Sequence, residues 1–173
     1  MNLTKTRTNR RIIVSSSIER HPVPVLGVDY KVKIVYKNIR ITELDVENKT
    51  IKISLPNKYK KMSNKEILDL AIDKMYEQIA NVEIERAMEK TRIMLGFAPE
   101  EYEIAKIKTL GACKDKKITI NPEVVKYSRK VIDYIVLHQY CHLKYKTHSK
   151  GFFKLIEKYQ PDYKKCEEIL LNI

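Results

Sequence analysis

The sequence predicts an α+β fold, and three observations carry that prediction. From Val28, apolar and polar residues alternate at period two, as in a half-buried strand. A long helical pattern opens at Ser63, with Glu66 three residues on at capping-box spacing. A second apolar helical stripe follows Ser128, after two further strand-like segments.

Size and composition set the frame. With 173 residues and 43% apolar character, the chain can bury one respectable core but not a second complete one. The expectation is one domain over residues 25–173 preceded by a basic arm, residues 1–24. Four glycines, six prolines and 32% charged residues argue against disordered or fibrous classes. No apolar run approaches the ~20 residues of a membrane span, and the first thirty residues lack the order of a secretory signal. A soluble, cytoplasmic protein with no membrane partner is therefore expected. Cys113, Cys141 and Cys166 are odd in number and match neither a disulfide framework nor a paired CxxC site, so reduced thiols are expected.

In chain order, the arm ends at His21-Pro22-Val23-Pro24, where two prolines deny regular ladder bonding. A strand follows with Val28, Tyr30, Val32 and Ile34 on one side, then strands over 38–46 and 50–55. The turn Glu47-Asn48-Lys49 joins the latter two as a hairpin and Pro56-Asn57 ends the third, which predicts a three-stranded antiparallel start. The helix from Ser63 runs through Ile67, Leu70, Ala71, Met75 and Ile79, with Asn81 marking a kink or break. It resumes through Val82, Ala87 and Met94 to Gly96, a C-terminal glycine, with Pro99 beyond. Strands over 102–110 and 117–121 come next, joined by a polar hairpin connection over 111–116. The sheet is thus expected to recruit strands from both sides of the long helix. Ser128 caps a helix that buries Val131, Ile132, Ile135, Val136 and Leu143. Helices over 151–158 and from Pro161 to near Leu171 complete the chain.

Charge is uneven. Residues 1–60 hold 13 Lys or Arg against five Asp or Glu, a large part of the formal net charge of +12. Lys5, Arg7, Arg10, Arg11, Arg20, Lys31, Lys33 and Lys37 form a pattern able to attract nucleic acid or another polyanion. The competing interpretation is a solvated, solubilising surface, since no aromatic nucleic-acid motif accompanies the charge.

The chemistry lies in three histidines. His138 and His142 are four apart inside a helix, so their imidazoles share one face and can chelate one Zn²⁺. His148 follows six residues later, where the chain can leave the helix and fold back. Three nitrogen ligands leave a fourth position open, which separates a catalytic zinc from a closed structural one. Water at such a position can have its pKa lowered to about 7, so the expected chemistry is hydrolytic.

The run Val131 to Leu143 containing His138-Gln139-Tyr140-Cys141-His142, then Thr147-His148-Ser149 and Phe152-Phe153, resembles the YgjP-like metallopeptidases, relatives of the SprT-like proteases. The family's tryptophan-glycine-serine-cysteine loop reads here Leu110-Gly111-Ala112-Cys113. The similarity covers most of residues 30–165. It implies a zincin-like metallopeptidase domain that acts on a peptide or protein substrate. It also implies one Zn²⁺ per chain on His138, His142 and His148. Position 139 is where the family places the general-base glutamate, and this sequence departs from the family there with Gln139.

A glutamine amide cannot accept a proton from water near neutral pH, although it keeps the shape of glutamate and can still hydrogen-bond. Loss of a general base costs ~10²–10⁴-fold in rate, so metal binding should survive while turnover falls. Two accounts fit: an isosteric replacement made to silence the enzyme, or a natural pseudoenzyme that keeps zinc for structure. A zinc-stabilised module engaging nucleic acid through the basic N-terminal third is the alternative from another class. A hydrolase of non-peptide acyl groups is a third.

Other residues have blander expectations. Cys141, between the helical ligands, and Cys113 are expected to pack rather than react. Asp133 does not share the face of His138 and is expected at the surface or as a cap. Tyr145, Tyr159 and Tyr163 are possible oxyanion donors, with core packing as the default. By analogy with metallopeptidases that hold an extended peptide on a sheet edge, the strand over 117–121 is the expected substrate strand. Oligomeric state has no sequence signature here.

Overall fold

Period-two alternation is realised in a mixed four-stranded sheet. The structure, a computed structural model, describes residues 22–171, so residues 1–21 of the expected arm lie outside the described residues. The strands β1 (Val23–Val25), β2 (Val28–Lys37), β3 (Glu43–Glu47) and β4 (Thr50–Pro56) lie in the order β1-β2-β4-β3. β1 with β2 and β3 with β4 are antiparallel, but β2 and β4 run parallel, with Ile34 opposite Ile53. The antiparallel start is thus corrected at its central pair. β4 carries the buried Ile51, Ile53 and Leu55 and so takes the interior place. The acidic β3, exposed along its whole length, is suited to the edge.

The predicted hairpin between β3 and β4 is present. Asn48 and Lys49 both have positive φ, 49° and 58°, the geometry of a two-residue primed turn. Val23 and Pro24, assigned to the arm from sequence, instead open β1. Proline is tolerated because β1 is an edge strand, and the Pro24 carbonyl accepts a hydrogen bond from the Tyr76 hydroxyl at 2.9 Å.

Helix α1 (Asn64–Leu95) starts and stops where the sequence says. The Ser63 hydroxyl accepts from the Glu66 amide, the Glu66 carboxylate accepts from the Ser63 amide, and Gly96 closes the helix at φ 75°. The expected break at Asn81 does not occur. Asn81 is exposed, while Ala80 and Ile84 on either side are fully buried, so packing continues across it.

A separate three-stranded sheet follows, with β5 (Glu101–Ile104), β6 (Gly111–Lys114) and β7 (Lys117–Ile120) in the order β5-β7-β6. This corrects two expectations. The first strand ends at Ile104, and 111–114, taken as part of a connection, is itself a strand. A two-residue turn is enough to make it so, because Asp115 and Lys116 both adopt positive φ, 48° and 64°. Among the described residues the strands form two sheets, not one shared sheet.

A 3-10 helix, Pro122–Lys126, leads into α2 (Arg129–Lys144), followed by α3 (Lys150–Tyr159) and α4 (Tyr163–Leu171). Ser128 precedes α2 but makes no side-chain capping bond; its carbonyl accepts from the Val131 and Ile132 amides. The buried face of α1 packs on that of α2, where Ile132 and Val136 are fully buried. Polar pairs clamp the two helices beside this core: Glu83 accepts from Arg86 and Arg129, and Asp133 accepts from Arg86 at 2.8 Å and Lys90 at 2.6 Å. Among the described residues, no helix is long and apolar enough to cross a membrane.

Candidate metal centre

Helix α2 puts His138 and His142 one turn apart on a single face, and the loop before α3 returns His148 to them. The three Nε2 atoms converge: that of His138 lies 3.2 Å from that of His142 and 3.0 Å from that of His148. Nitrogens at ~2.0–2.1 Å from a common tetrahedral ion stand roughly 3.3 Å apart, so the spacing suits a single small cation. No other cluster of three or more potential ligands is formed among the described residues.

Several contacts hold the imidazoles in place. Phe152, fully buried, lies with its ring centroid 4.8–4.9 Å from all three histidine rings. Ser149 sets Phe152 there by capping α3, its hydroxyl accepting from the Phe152 amide. The Nδ1 of His142 faces the Tyr145 carbonyl at 3.1 Å, and the Nδ1 of His138 faces the Tyr134 hydroxyl at 3.3 Å. Burial, and then the neighbouring His142 and His148, push the His138 pKa down to about 4. The ring is therefore neutral at pH 7, the form that ligates metal.

Gln139 is buried beside this cluster and packs on β6. A Cβ at Gly111 would stand 3.0 Å from the Gln139 Cγ and Nε2, so glycine is what lets the strand backbone approach residue 139. Together they line a cleft of about 460 Å³. Residues 108–111 form one wall, Ile135, His138 and Gln139 the floor, and Glu167, Leu170 and Leu171 of α4 the other wall.

The structure thus brings together all four residues singled out from sequence: His138, Gln139, His142 and His148. The expected substrate strand is corrected: β7 lies between β5 and β6 with both ladders used, and β6 is the edge strand beside the cleft. Cys141 is fully buried and its thiol is pushed up to about 12 by burial; burial also raises Cys113, consistent with packing roles. Asp133 forms the interhelix clamp. Lys31 and Lys33 are exposed on β2, Lys37 pairs with Glu43 at 3.2 Å, and Lys5, Arg7, Arg10, Arg11 and Arg20 lie outside the described residues.

Sequence reasoning missed Tyr134 and Glu167 and undervalued Phe152. Of the tyrosines it named, Tyr145 contributes its carbonyl and Tyr163 stacks on Tyr134 and Phe153, whereas Tyr134 is the tyrosine that lines the cleft. Its position four residues before His138, on the same helical face, is a signal that could have found it. Nothing local points to Glu167.

Comparison with known proteins decides the family. A family described as "YgjP-like, metallopeptidase domain" matches residues 2–172. The chain belongs to the YgjP-like family. The match extends past residues 30–165 and takes in the basic N-terminal segment, which the motifs alone leave outside. YgjP-like membership implies a metal ion and a peptide or protein substrate, and the observed fold is of the expected α+β class. Similar solved structures include the metallopeptidase zymogen of Pyrococcus abyssi, abylysin, at 27% identity over 51% of this chain and 92% of that one, with TM-score 0.46. Another is the metallopeptidase zymogen of Methanocaldococcus jannaschii, jannalysin, at 21% identity over 52% and 86%, with TM-score 0.39. No curated protein matches the sequence.

Proposed function

We propose that the chain holds one Zn²⁺ through His138, His142 and His148, in a site built for peptide-bond hydrolysis whose rate is decided by residue 139. The observation that supports this most is the convergence of three Nε2 atoms beside the family's general-base position. An all-nitrogen donor set with one position to spare suits zinc. The ion supplies Lewis-acid polarisation of a carbonyl and acidifies water.

The chain's own residues do the remainder. The outer edge of β6, unpaired among the described residues, offers main-chain donors and acceptors to an extended peptide. Leu110, Ile135 and Leu170 along the cleft favour an apolar substrate side chain. A carboxylate at position 139 would accept the proton of the attacking water and return it to the leaving amine. Gln139 keeps the shape and hydrogen bonding of that group but not its basicity. The chain as it stands therefore binds metal and peptide and turns over slowly.

Metal analysis of the purified chain should find about one zinc per chain, lost on His148→Ala. Gln139→Glu should then raise peptide hydrolysis by ~10²–10⁴-fold. A folded chain that takes up no zinc sinks the site. A zinc-loaded Gln139→Glu variant that stays inert would leave a zinc-stabilised pseudoenzyme instead.

A further inference from the structure

A hydrogen-bonded chain runs away from His138 on the side opposite the converging nitrogens. Its Nδ1 lies 3.3 Å from the Tyr134 hydroxyl, which lies 2.8 Å from Oε1 of Glu167. We propose that Tyr134 and Glu167 are positioning residues that hold His138 in the tautomer and orientation a metal ligand needs. The inference rests on the three-histidine site.

The proton positions follow from the partners. A carboxylate only accepts, so the single hydroxyl proton of Tyr134 is donated to Glu167. The tyrosine oxygen then has only lone pairs to offer, and His138 must donate its Nδ1 proton to it. Nε2 is left as the unprotonated nitrogen, and it is Nε2 that meets the other two histidines. The same logic acts at His142, where the partner of Nδ1 is the Tyr145 carbonyl oxygen, also acceptor-only. His148 has no such partner among the described residues and leans on Phe152 and Phe153.

Glu167 sits on α4 and Tyr134 on α2, one turn before His138. Seating of the last helix is thereby joined to ligand geometry. The Tyr134 ring is held independently of its hydroxyl, stacked on Tyr163 at 6.3 Å, so removing the hydroxyl alone leaves the packing intact. Without Glu167 the tyrosine proton is free to turn toward His138, which favours the tautomer protonated at Nε2 and opposes metal.

The test is competition titration of zinc against a chromophoric chelator, with thermal melting of the metal-free proteins alongside. Partners behind a metal-bound histidine are typically worth ~10–100-fold in affinity, and Tyr134→Phe and Glu167→Ala should each lose that much while melting close to wild type. Glu167→Gln, which keeps an acceptor oxygen, should recover most of the loss. Because Glu167 acts through Tyr134, the double variant Tyr134→Phe/Glu167→Ala should bind no more weakly than Tyr134→Phe alone. Single variants with wild-type affinity overturn the proposal, as does a double variant whose loss is the product of the two. Should Glu167→Ala fail to fold, Tyr134→Phe decides alone. A wild-type chain that takes up no zinc instead overturns the three-histidine site itself, an outcome visible before any variant is made.

Discussion

The two sheets are built alike and used differently. Each is mixed, each has one parallel pair, and each has an antiparallel hairpin closed by two residues at positive φ: Asn48-Lys49 in one, Asp115-Lys116 in the other. In the first sheet the hairpin's edge strand, β3, faces solvent throughout, and the buried chemistry is the apolar row Ile51, Ile53 and Leu55. In the second the hairpin's edge strand, β6, lies against α2 with the backbone of Gly111 on Gln139. Both hairpins feed the core, the second through Ile118 and Ile120 of β7, but the edge strand of the second also builds the cleft. Stability and chemistry should therefore separate along this division.

Ile53→Ala tests the first half. Ile53 is 1% exposed, and its truncation should cost about 2–5 kcal/mol in denaturant unfolding while zinc affinity at the histidines stays within a few-fold of wild type. A large loss of affinity would show that the sheet supports the site after all. Gly111→Ala tests the other half with the opposite signature. The added methyl meets Cγ, Cδ and Nε2 of the Gln139 side chain, which can yield by rotation, so unfolding should change by about 1–3 kcal/mol. In the Gln139→Glu background, however, it should lower peptide hydrolysis by at least ~10-fold, since small displacements of a catalytic group are costly.

Acid should act between the two regions, at the clamp that ties α2 to α1. The Glu83 carboxyl is held below its ordinary range, chiefly by its hydrogen bond from Arg129 and then by Arg86. A depressed folded-state pKa gives stability that is fully present above the unfolded value of about 4.3 and is lost as pH falls through the folded value. The difference in urea midpoint between wild type and Glu83→Gln should be constant from about pH 7 to 5 and shrink below about pH 4.5. A difference that grows in acid would reverse the assignment.

The smallest effect belongs to the turns. Lys49→Gly and Lys116→Gly each relieve a side chain held at positive φ, 58° and 64°, and should each stabilise by about 0.5–1 kcal/mol, read as a rise in melting temperature. Equal gains would confirm that the hairpins are equivalent locally and differ only in what their edges meet.

Local periodicity and spacing were sufficient for the capping box at Ser63, the glycine stop at Gly96, the Asn48-Lys49 hairpin and the i, i+4 histidine pair, because each is set by residues within one or two turns of each other. The kink expected at Asn81 failed for the same reason in reverse: local propensity is weak, and the buried contacts of Ala80 and Ile84 override it. Strand β6 was hidden because a primed turn needs only two residues, so a short strand resembles a connection.

What the sequence by itself determined is the set of groups at the centre: His138, Gln139, His142 and His148, with Phe152 close by in the chain. What only the tertiary structure decided is what surrounds them. The parallel pairing of β2 with β4, the Gly111 backbone against Gln139 and the carboxylate of Glu167 behind Tyr134 join segments distant in sequence. No local pattern encodes such contacts. They follow from which apolar faces the elements bury against one another, and that is settled only when the whole core packs.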